Sequence, residues 1–415
     1  MTLVRTSLLN GVAVAVKMLA AMALNKILAI YVGPAGYGII GQFQNALAVI
    51  VNLAGGVVGT GVTKATAEHF DDTVRQHGVW RTAIRLSLGA SVLSGIIMLA
   101  LRSYLSETLL HNAGLGSVFV ALALTLPATA ANNILLAIVN GKKEVGIYVT
   151  ANIIGSLITL AVTGLLAWRF GLHGALIACA IAPSLALLST ATMVSHRPWL
   201  SFSAIWGALD RPAMKELSGF ALMGVTSALA SPIALMLIRQ HVSDALGLTA
   251  AGYWQASWKI SEIYLTLVTT TLTLYYVPRL AEIRHGYELR QEVWKVYRFV
   301  MPIVVLAATL IFILRDFITR LLFSADFQPM EILFPWQLAG DVIKIGSWVL
   351  SCIMLGRSMV KAYVATEIVF SVTFVLLSWF CVSHFSLIGV PIAYATNYVL
   401  YWITIGLLVR RKLSH

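Results

Sequence analysis

Apolar runs of about twenty residues recur along the whole chain, each long enough at 1.5 Å per residue to cross the roughly 30 Å hydrocarbon core of a bilayer. Nothing else in the sequence restricts the fold as much, because within hydrocarbon only helices and closed barrels satisfy every backbone polar group. The runs fall at approximately 6–32, 36–62, 82–101, 116–139, 146–168, 173–195, 216–238, 250–277, 299–314, 332–355, 362–383 and 387–409. They predict an all-α integral membrane fold of about twelve transmembrane helices. Arg298 and Arg315 crowd the ninth run. Only 11% of the 415 residues are charged and 59% are apolar, far from the roughly 25% charged content of a soluble domain. Lys17 and Lys26 interrupt the first run and no small-residue cleavage site follows it, so it reads as a retained helix rather than a secretion signal.

Orientation follows from the short loops. About twenty Lys and Arg residues fall in one set and only about five, Arg102, Arg169, Arg239, Arg315 and Arg320, in the other, which predicts that the richer set faces the cytoplasm. An even number of crossings then places both termini in the cytoplasm of a multi-pass inner-membrane protein. The net charge of +12 is spread over several short loops instead of one patch, which argues against a nucleic-acid partner. Cys179, Cys352 and Cys381 are isolated inside apolar runs, without metal-ligand spacing, and read as packing residues.

Internal repetition refines this picture. Ala35-Gly36-Tyr37 opens the second run as Ala251-Gly252-Tyr253 opens the eighth. Gly141-Lys142, Tyr148-Val149 and Ile153 match Gly356-Arg357, Tyr363-Val364 and Ile368. Phe170, Leu172, Gly174, Ile177 and Ala178 match Phe385, Leu387, Gly389, Ile392 and Ala393. Three matches in one order, at a nearly constant offset, predict two parallel six-helix repeats, an arrangement in which transporters place their substrate site between the halves. The expected division is an N-terminal lobe over 1–196, a cytoplasmic linker over 197–215 and a C-terminal lobe over 216–415. Trp199, Phe202, Ile205 and Trp206, flanked by Arg197 and Arg211, fit either an amphipathic turn on the membrane surface or a plain solvated linker. Pro127, Pro183, Pro232 and Pro391 are expected to kink the runs that contain them, and Gly55, Gly59 and Gly61 read as close helix packing.

Ionisable residues inside the runs are the informative minority, since each costs roughly 2.5–3.5 kcal/mol at a helix centre. They are Lys17, Lys26, Lys259, Glu262, Asp341, Lys344 and Glu367. Gln255, Lys259 and Glu262 share one helix face by spacing, as do Gln337, Asp341 and Lys344, and Gln42, Asn45 and Asn52 form a weaker polar stripe. Two readings stay open. In one, Lys259 with Glu262 and Asp341 with Lys344 are intrahelical pairs that only help packing. In the other, these residues line a water-filled, net-basic cavity suited to an anionic amphiphile, in which Glu262, Asp341 or Glu367 exchanges a proton. Lys17 and Lys26, nine residues apart, point to opposite faces of a straight helix, with Lys17 the deeper and Lys26 nearer the periplasmic end.

No phosphate-binding G-x-x-x-x-G-K-[ST] loop, H-E-x-x-H helix, paired-Cys motif or G-x-S-x-G elbow occurs. No catalytic residue, metal or cofactor is expected, and the polar loops are too short for an extramembrane catalytic domain.

Particular residues carry a resemblance. Lys17 and Lys26 in the first run, Gly33-Pro34-Ala35-Gly36 after it, Gly61-Val62-Thr63-Lys64 closing the second, and Trp336-Gln337, Gly340-Asp341 and Lys344 in the tenth occur in the order seen in Wzx-type lipid-linked oligosaccharide flippases. That polysaccharide transporter family, which serves O-antigen and enterobacterial common antigen synthesis, belongs to the multidrug/oligosaccharidyl-lipid/polysaccharide exporter superfamily. The resemblance implies a V-shaped two-lobe exporter fold and alternating access. It also implies a secondary transporter for a short oligosaccharide on undecaprenyl pyrophosphate, moved from the cytoplasmic to the periplasmic leaflet. Lys17, Lys26, Lys259 and Lys344 would face the phosphates, with Gln42, Asn45, Gln255 and Gln337 as polar lining and Glu262, Asp341 and Glu367 as coupling acids. Partners would be the lipid-linked oligosaccharide, the bilayer, and the polymerase and chain-length proteins of the same glycan pathway. The alternatives are a cation-coupled multidrug-type exporter, against which the basic surplus counts, and a non-transporting membrane partner of a glycan polymerase.

Overall fold

Hydrocarbon length sets the first requirement: a straight helix of about 50 residues would be about 75 Å long, more than twice the apolar core, so long apolar helices must turn. The computed structural model describes residues 3–283, 285–357 and 359–413, and every element among them is helical. In chain order these are α1 (Leu3–Val51), α2 (Val58–Glu68), α3 (Thr73–Ala100), α4 (Arg102–Leu110), α5 (Gly116–Gly141), α6 (Val145–Val194) and the short α7 (Phe202–Ile205). There follow α8 (Arg211–Leu246), α9 (Leu248–Glu282), α10 (Gly286–Ile313), α11 (Arg315–Leu322), α12 (Phe334–Gly356), α13 (Val360–Phe385) and α14 (Gly389–Leu413).

Seven stretches of the described residues are long and apolar enough to span a membrane, and three of them, Val14–Glu68, Val145–Val194 and Val360–Arg410, reach 50 residues or more. Each of the three is interrupted by a backbone break and provides two crossings. With α8 and α9, which are more polar, the twelve crossings expected from the sequence are present. The breaks lie at Gly33 (φ 68°) in α1, Gly171 (φ 55°, ψ −135°) in α6 and Ser386 (φ 53°, ψ −141°) between α13 and α14. Gly171 and Ser386 occupy equivalent places in the repeat with nearly the same dihedrals. Three residues beyond each, a Cβ on Gly174 or Gly389 would overlap the carbonyl of Leu166 or Cys381, eight residues earlier in both cases. The chain therefore reverses the same way in both halves, which explains why this segment of the repeat stayed recognisable.

The breaks do not fall at the four prolines expected to kink their runs. Pro127, Pro183 and Pro232 lie within continuous helices and Pro391 sits in the first turn of α14, which tolerates a missing donor. Gly55 has the expected close-packing role and a second one in the backbone. It has φ 118° inside a one-turn π-helix, Asn52–Gly56, and its missing side chain makes room for Ser87 of α3. Gly55→Ala is expected to lower the thermal unfolding midpoint of the purified protein, through roughly 1–3 kcal/mol of backbone strain added to the overlap with Ser87. Ser87→Gly in the same chain should relieve the overlap and recover only part of the loss. An unchanged midpoint for Gly55→Ala would contradict this account of the turn.

By contacts the chain forms two units, Met1–Val32 with Ile39–Ile233, and Gly33–Gly38 with Ala234–His415. In the first, Trp80 of α3 packs with Val62, Ile134, Ile138 and Leu217, and the middle of α8 is tied in by a hydrogen bond from Asn52 Nδ2 to the Ala228 carbonyl (3.4 Å). In the second, the short segment Gly33–Gly38 lies on the start of α9, where Gly252 leaves room for the Pro34 backbone and Tyr37 is wedged edge-on between Phe323 and Phe327, at 5.6 Å from each.

The linker is not a plain solvated segment; it includes the one-turn helix α7 and leaves Trp206 and Leu209 exposed. It docks within the first unit. Trp199 Nε1 donates to Glu144 Oε1 (2.7 Å), Arg197 pairs with the same carboxylate (3.3 Å), and the Trp199 ring stands edge-on to Trp80. Arg81 donates to the Ser203 carbonyl, and the Asp210 amide donates to Thr82 Oγ1 (3.0 Å). Beside it, Lys142 Nζ donates to Gln76 Oε1 (2.6 Å) and lies over the Phe70 and Trp80 rings. Partial burial there pushes the Lys142 ammonium below the ordinary lysine value, opposed by the charges of Glu144 and Asp71.

Candidate functional site

A carboxylate inside an apolar bundle must be hydrogen-bonded or neutralised. In the second unit, Asp341 of α12 is fully buried and accepts three hydrogen bonds from hydroxyls. Ser261 Oγ (2.6 Å) and Tyr264 OH (2.8 Å) of α9 donate to its Oδ2, and Tyr394 OH of α14 (2.9 Å) donates to Oδ1. Gly340 makes the last contact possible, because a side chain there would collide with the Tyr394 ring. The Gly340-Asp341 pair noted in the sequence thus acts as one device, with the glycine admitting the ring that binds the acid.

One turn along α12, the half-buried Lys344 makes no ion pair with Asp341, contrary to the intrahelical pairing considered from spacing. Its Nζ lies over three rings instead, Trp258 at 5.5 Å, Tyr394 at 5.7 Å and Tyr398 at 5.4 Å. Tyr394 and Tyr398 meet edge to face at 5.0 Å, and Trp258 meets Tyr394 at 5.2 Å, so the cage is a packed aromatic unit. Asp341, Glu262 and Glu367 all act electrostatically on the Lys344 ammonium. The other expected pair does form: Lys259 Nζ and Glu262 Oε2 are 2.6 Å apart, with 27% and 51% of their side chains exposed. Glu367 of α13 is half-buried.

A further charge was missed. The loop count places Arg239 outside the membrane, but α8 continues to Leu246 and Arg239 is only 1% exposed. One guanidinium nitrogen donates to Gln255 Oε1, the group lies over the Trp254 ring at 5.1 Å, and Nε and Nη1 have no hydrogen-bond partner. Gln337, 2% exposed, likewise leaves both amide atoms unpartnered. Buried donors and acceptors left this way cost roughly 1–3 kcal/mol each, so packing alone gives no reason to keep them. No charge pattern betrayed Arg239, because hydropathy ends the seventh run one residue before it. Ser261, Tyr264, Tyr394 and Tyr398 were also missed, being uncharged. The Tyr394, Tyr398, Tyr401 spacing was the one available signal.

The first unit holds the other predicted residues. Lys17 is exposed on the protein surface and Lys26 is half-buried. Gln42 is buried, and Asn45 is half-buried with its Nδ2 lacking a hydrogen-bond partner. Asn52, the third member of that stripe, is used as the tie to α8.

Residues 27–332 match the sequence model of a family described as Polysaccharide biosynthesis protein. Lipid III flippases of Escherichia coli (strain K12) and Shigella flexneri are each 30% identical over 408 residues, 97% of this chain and 97% of theirs. Among solved structures, an inward-facing multidrug resistance MATE family transporter of the MOP superfamily aligns with a TM-score of 0.79 at 17% identity, over 96% of this chain and 94% of that one. A MOP superfamily transporter from Pyrococcus furiosus aligns with a TM-score of 0.72 at 19% identity, over 99% and 95%. The helical repeat, the paired reversals at Gly171 and Ser386 and the membrane-crossing lengths agree with that fold, and the chain is a membrane transporter, not an enzyme, belonging to the polysaccharide biosynthesis protein family together with the lipid III flippases.

Proposed function

We propose that this transporter flips an oligosaccharide carried on undecaprenyl pyrophosphate from the cytoplasmic to the periplasmic leaflet of the bacterial inner membrane, by alternating access and with both termini in the cytoplasm. The observation that carries the reading is the pairing of a hydroxyl-bound buried carboxylate, Asp341, with a lysine held over three aromatic rings, Lys344. A cation kept in place by ring faces and not consumed by an ion pair stays available to a diphosphate, and aromatic faces also suit sugar rings. Lys344 and Lys259, with Lys17 and Lys26 of the first unit, are the phosphate-facing groups of this reading. Gln42, Asn45, Gln255 and Gln337 are its polar lining, and Asp341, Glu262 and Glu367 are its coupling acids.

Direction has an electrostatic basis. A potential negative on the cytoplasmic side favours outward movement of each negative charge by roughly 2.3 kcal/mol per 100 mV, so a diphosphate diester with about two charges needs no ATP. Reconstitution in liposomes with a fluorescent polyprenyl-diphosphate oligosaccharide tests this. Transport should accelerate under an imposed potential or an opposing proton or sodium gradient. Failure to move the lipid, with uptake of a cationic drug by the same liposomes, would replace this reading by that of a multidrug-type exporter.

A further inference from the structure

Two cavities of the second unit share a lining residue, Val305. The larger, about 1160 Å³, is lined by Val293, Tyr297, Lys295, Arg298 and Met301 of α10 and by Trp402 of α14, among others. The smaller, 320 Å³, lies between α10 and α12 against Ala308, Thr309, Phe312 and Leu338. The lining residues of the two cavities follow α10 from Val293 to Phe312, about 28 Å at 1.5 Å per residue, close to the roughly 30 Å of the full hydrocarbon core. The chemistry of the lining is graded along that length. Among the described residues, the only charged side chains lining the two cavities are Lys295 and Arg298, both at the α10 N-terminal end, and none is acidic. Among the described residues neither cation has an ion-pair partner.

The wall is built, not a loose gap. Tyr297 OH donates to the Gly346 carbonyl (2.5 Å) and accepts from Trp402 Nε1 (3.1 Å), with the two rings stacked 6.1 Å apart at 19°. Gly346 admits the Trp402 ring, which a side chain there would displace. The larger cavity alone exceeds the roughly 300–1,000 Å³ of ordinary small-molecule pockets. Cations at the cytoplasmic end of a membrane helix are ordinary; what a lipid-facing surface has no need of is a concave track walled by the hydrogen-bonded Tyr297 and Trp402.

We infer that this α10–α12–α14 groove holds the polyprenyl chain of the transported lipid, with Lys295 and Arg298 at the diphosphate end. The inference rests on the proposed function for its substrate and adds a tail site remote from Asp341. The length decides between lipids: a phospholipid acyl chain covers one leaflet, about half of the groove, while a long polyprenyl chain fills it. The end bearing Lys295 and Arg298 belongs to the loops that the Lys and Arg distribution assigns to the cytoplasm, where such a substrate would load.

Native mass spectrometry of the full-length protein, with undecaprenyl diphosphate, farnesyl diphosphate or phosphatidylglycerol added, tests the inference. Val305→Trp and Thr309→Trp fill the groove from exposed positions. Each should lower retention of undecaprenyl diphosphate by about tenfold, equivalent to about 1.4 kcal/mol, and leave farnesyl diphosphate unaffected. Lys295→Ala with Arg298→Ala should lower both. Undiminished retention in both tryptophan variants, or displacement of undecaprenyl diphosphate by equimolar phosphatidylglycerol, would overturn the track. Liposome transport separates the two ideas. Wild-type transport that neither tryptophan slows leaves the function and removes the track. Retention of the long chain by a protein that transports nothing removes the function and keeps the lipid site.

Discussion

Replacing Asp341 by Asn is expected to reduce lipid-linked oligosaccharide transport by at least about 100-fold, while the protein remains folded in the membrane at wild-type levels. The carboxylate accepts from Ser261, Tyr264 and Tyr394, and hydrogen bonds to a charged partner contribute roughly 1.5–3 kcal/mol each. An asparagine keeps one acceptor oxygen, and the facing hydroxyls can rotate to accept from its amide, so the loss of fold stability is modest. Transport has no such substitute, because the variant can neither bind a proton or cation at Asp341 nor balance the Lys344 charge. Asp341→Ala is the harsher change, leaving three buried hydroxyls without their acceptor and lowering the yield of folded protein. Liposome transport by purified Asp341→Asn, normalised to inserted protein, is the measurement, and wild-type rates would remove Asp341 from the mechanism.

Lys344→Ala is expected to abolish transport and also to destabilise, and the two effects can be separated. A cation over aromatic rings contributes about 2 kcal/mol or more when desolvated, and Lys344 lies over three. Its removal also leaves the buried Asp341 carboxylate with its three hydroxyl donors but without the nearby ammonium that acts electrostatically on its charge. The double variant Asp341→Asn with Lys344→Ala no longer carries that charge. It should therefore recover much of the thermal stability lost in Lys344→Ala and none of the transport. Such non-additivity is the signature of coupled neighbours. If the double variant is as unstable as the sum of the singles, the two groups are not electrostatically linked. If Lys344→Ala transports normally, the lysine has no role with the diphosphate. Lys344→Arg should keep the fold and part of the transport, since a guanidinium also stacks on ring faces but with a different reach.

Much of the fold was legible because hydropathy and helix length are local properties. Where the sequence ran to long apolar stretches, the structure has crossings, and where it repeated Phe170 to Ala178 as Phe385 to Ala393, the structure has the same reversal twice. The positions of the breaks were less legible. Proline marks a missing donor, which continuous helices here absorb at Pro127, Pro183 and Pro232, while the positive φ that turns α1 and α6 falls on Gly33 and Gly171. The linker illustrates the same limit: Trp199 and Arg197 suit a membrane surface by composition, yet both are bound to Glu144, which only a folded first unit brings near.

The site divides in the same way. The sequence by itself determined that the chain crosses a membrane about twelve times in two like halves, and that Asp341, Lys344, Lys259 and Glu262 are costly residues in need of partners, because the expense of a charge in hydrocarbon depends only on the residue and its surrounding run. The partners were decided by the tertiary structure alone. Ser261, Tyr264 and Tyr394 reach Asp341 from two other helices, Lys344 found ring faces where its own helix offered a carboxylate, and Arg239 proved buried, because hydrogen bonds and ring contacts between helices depend on packing that spacing along one helix does not encode.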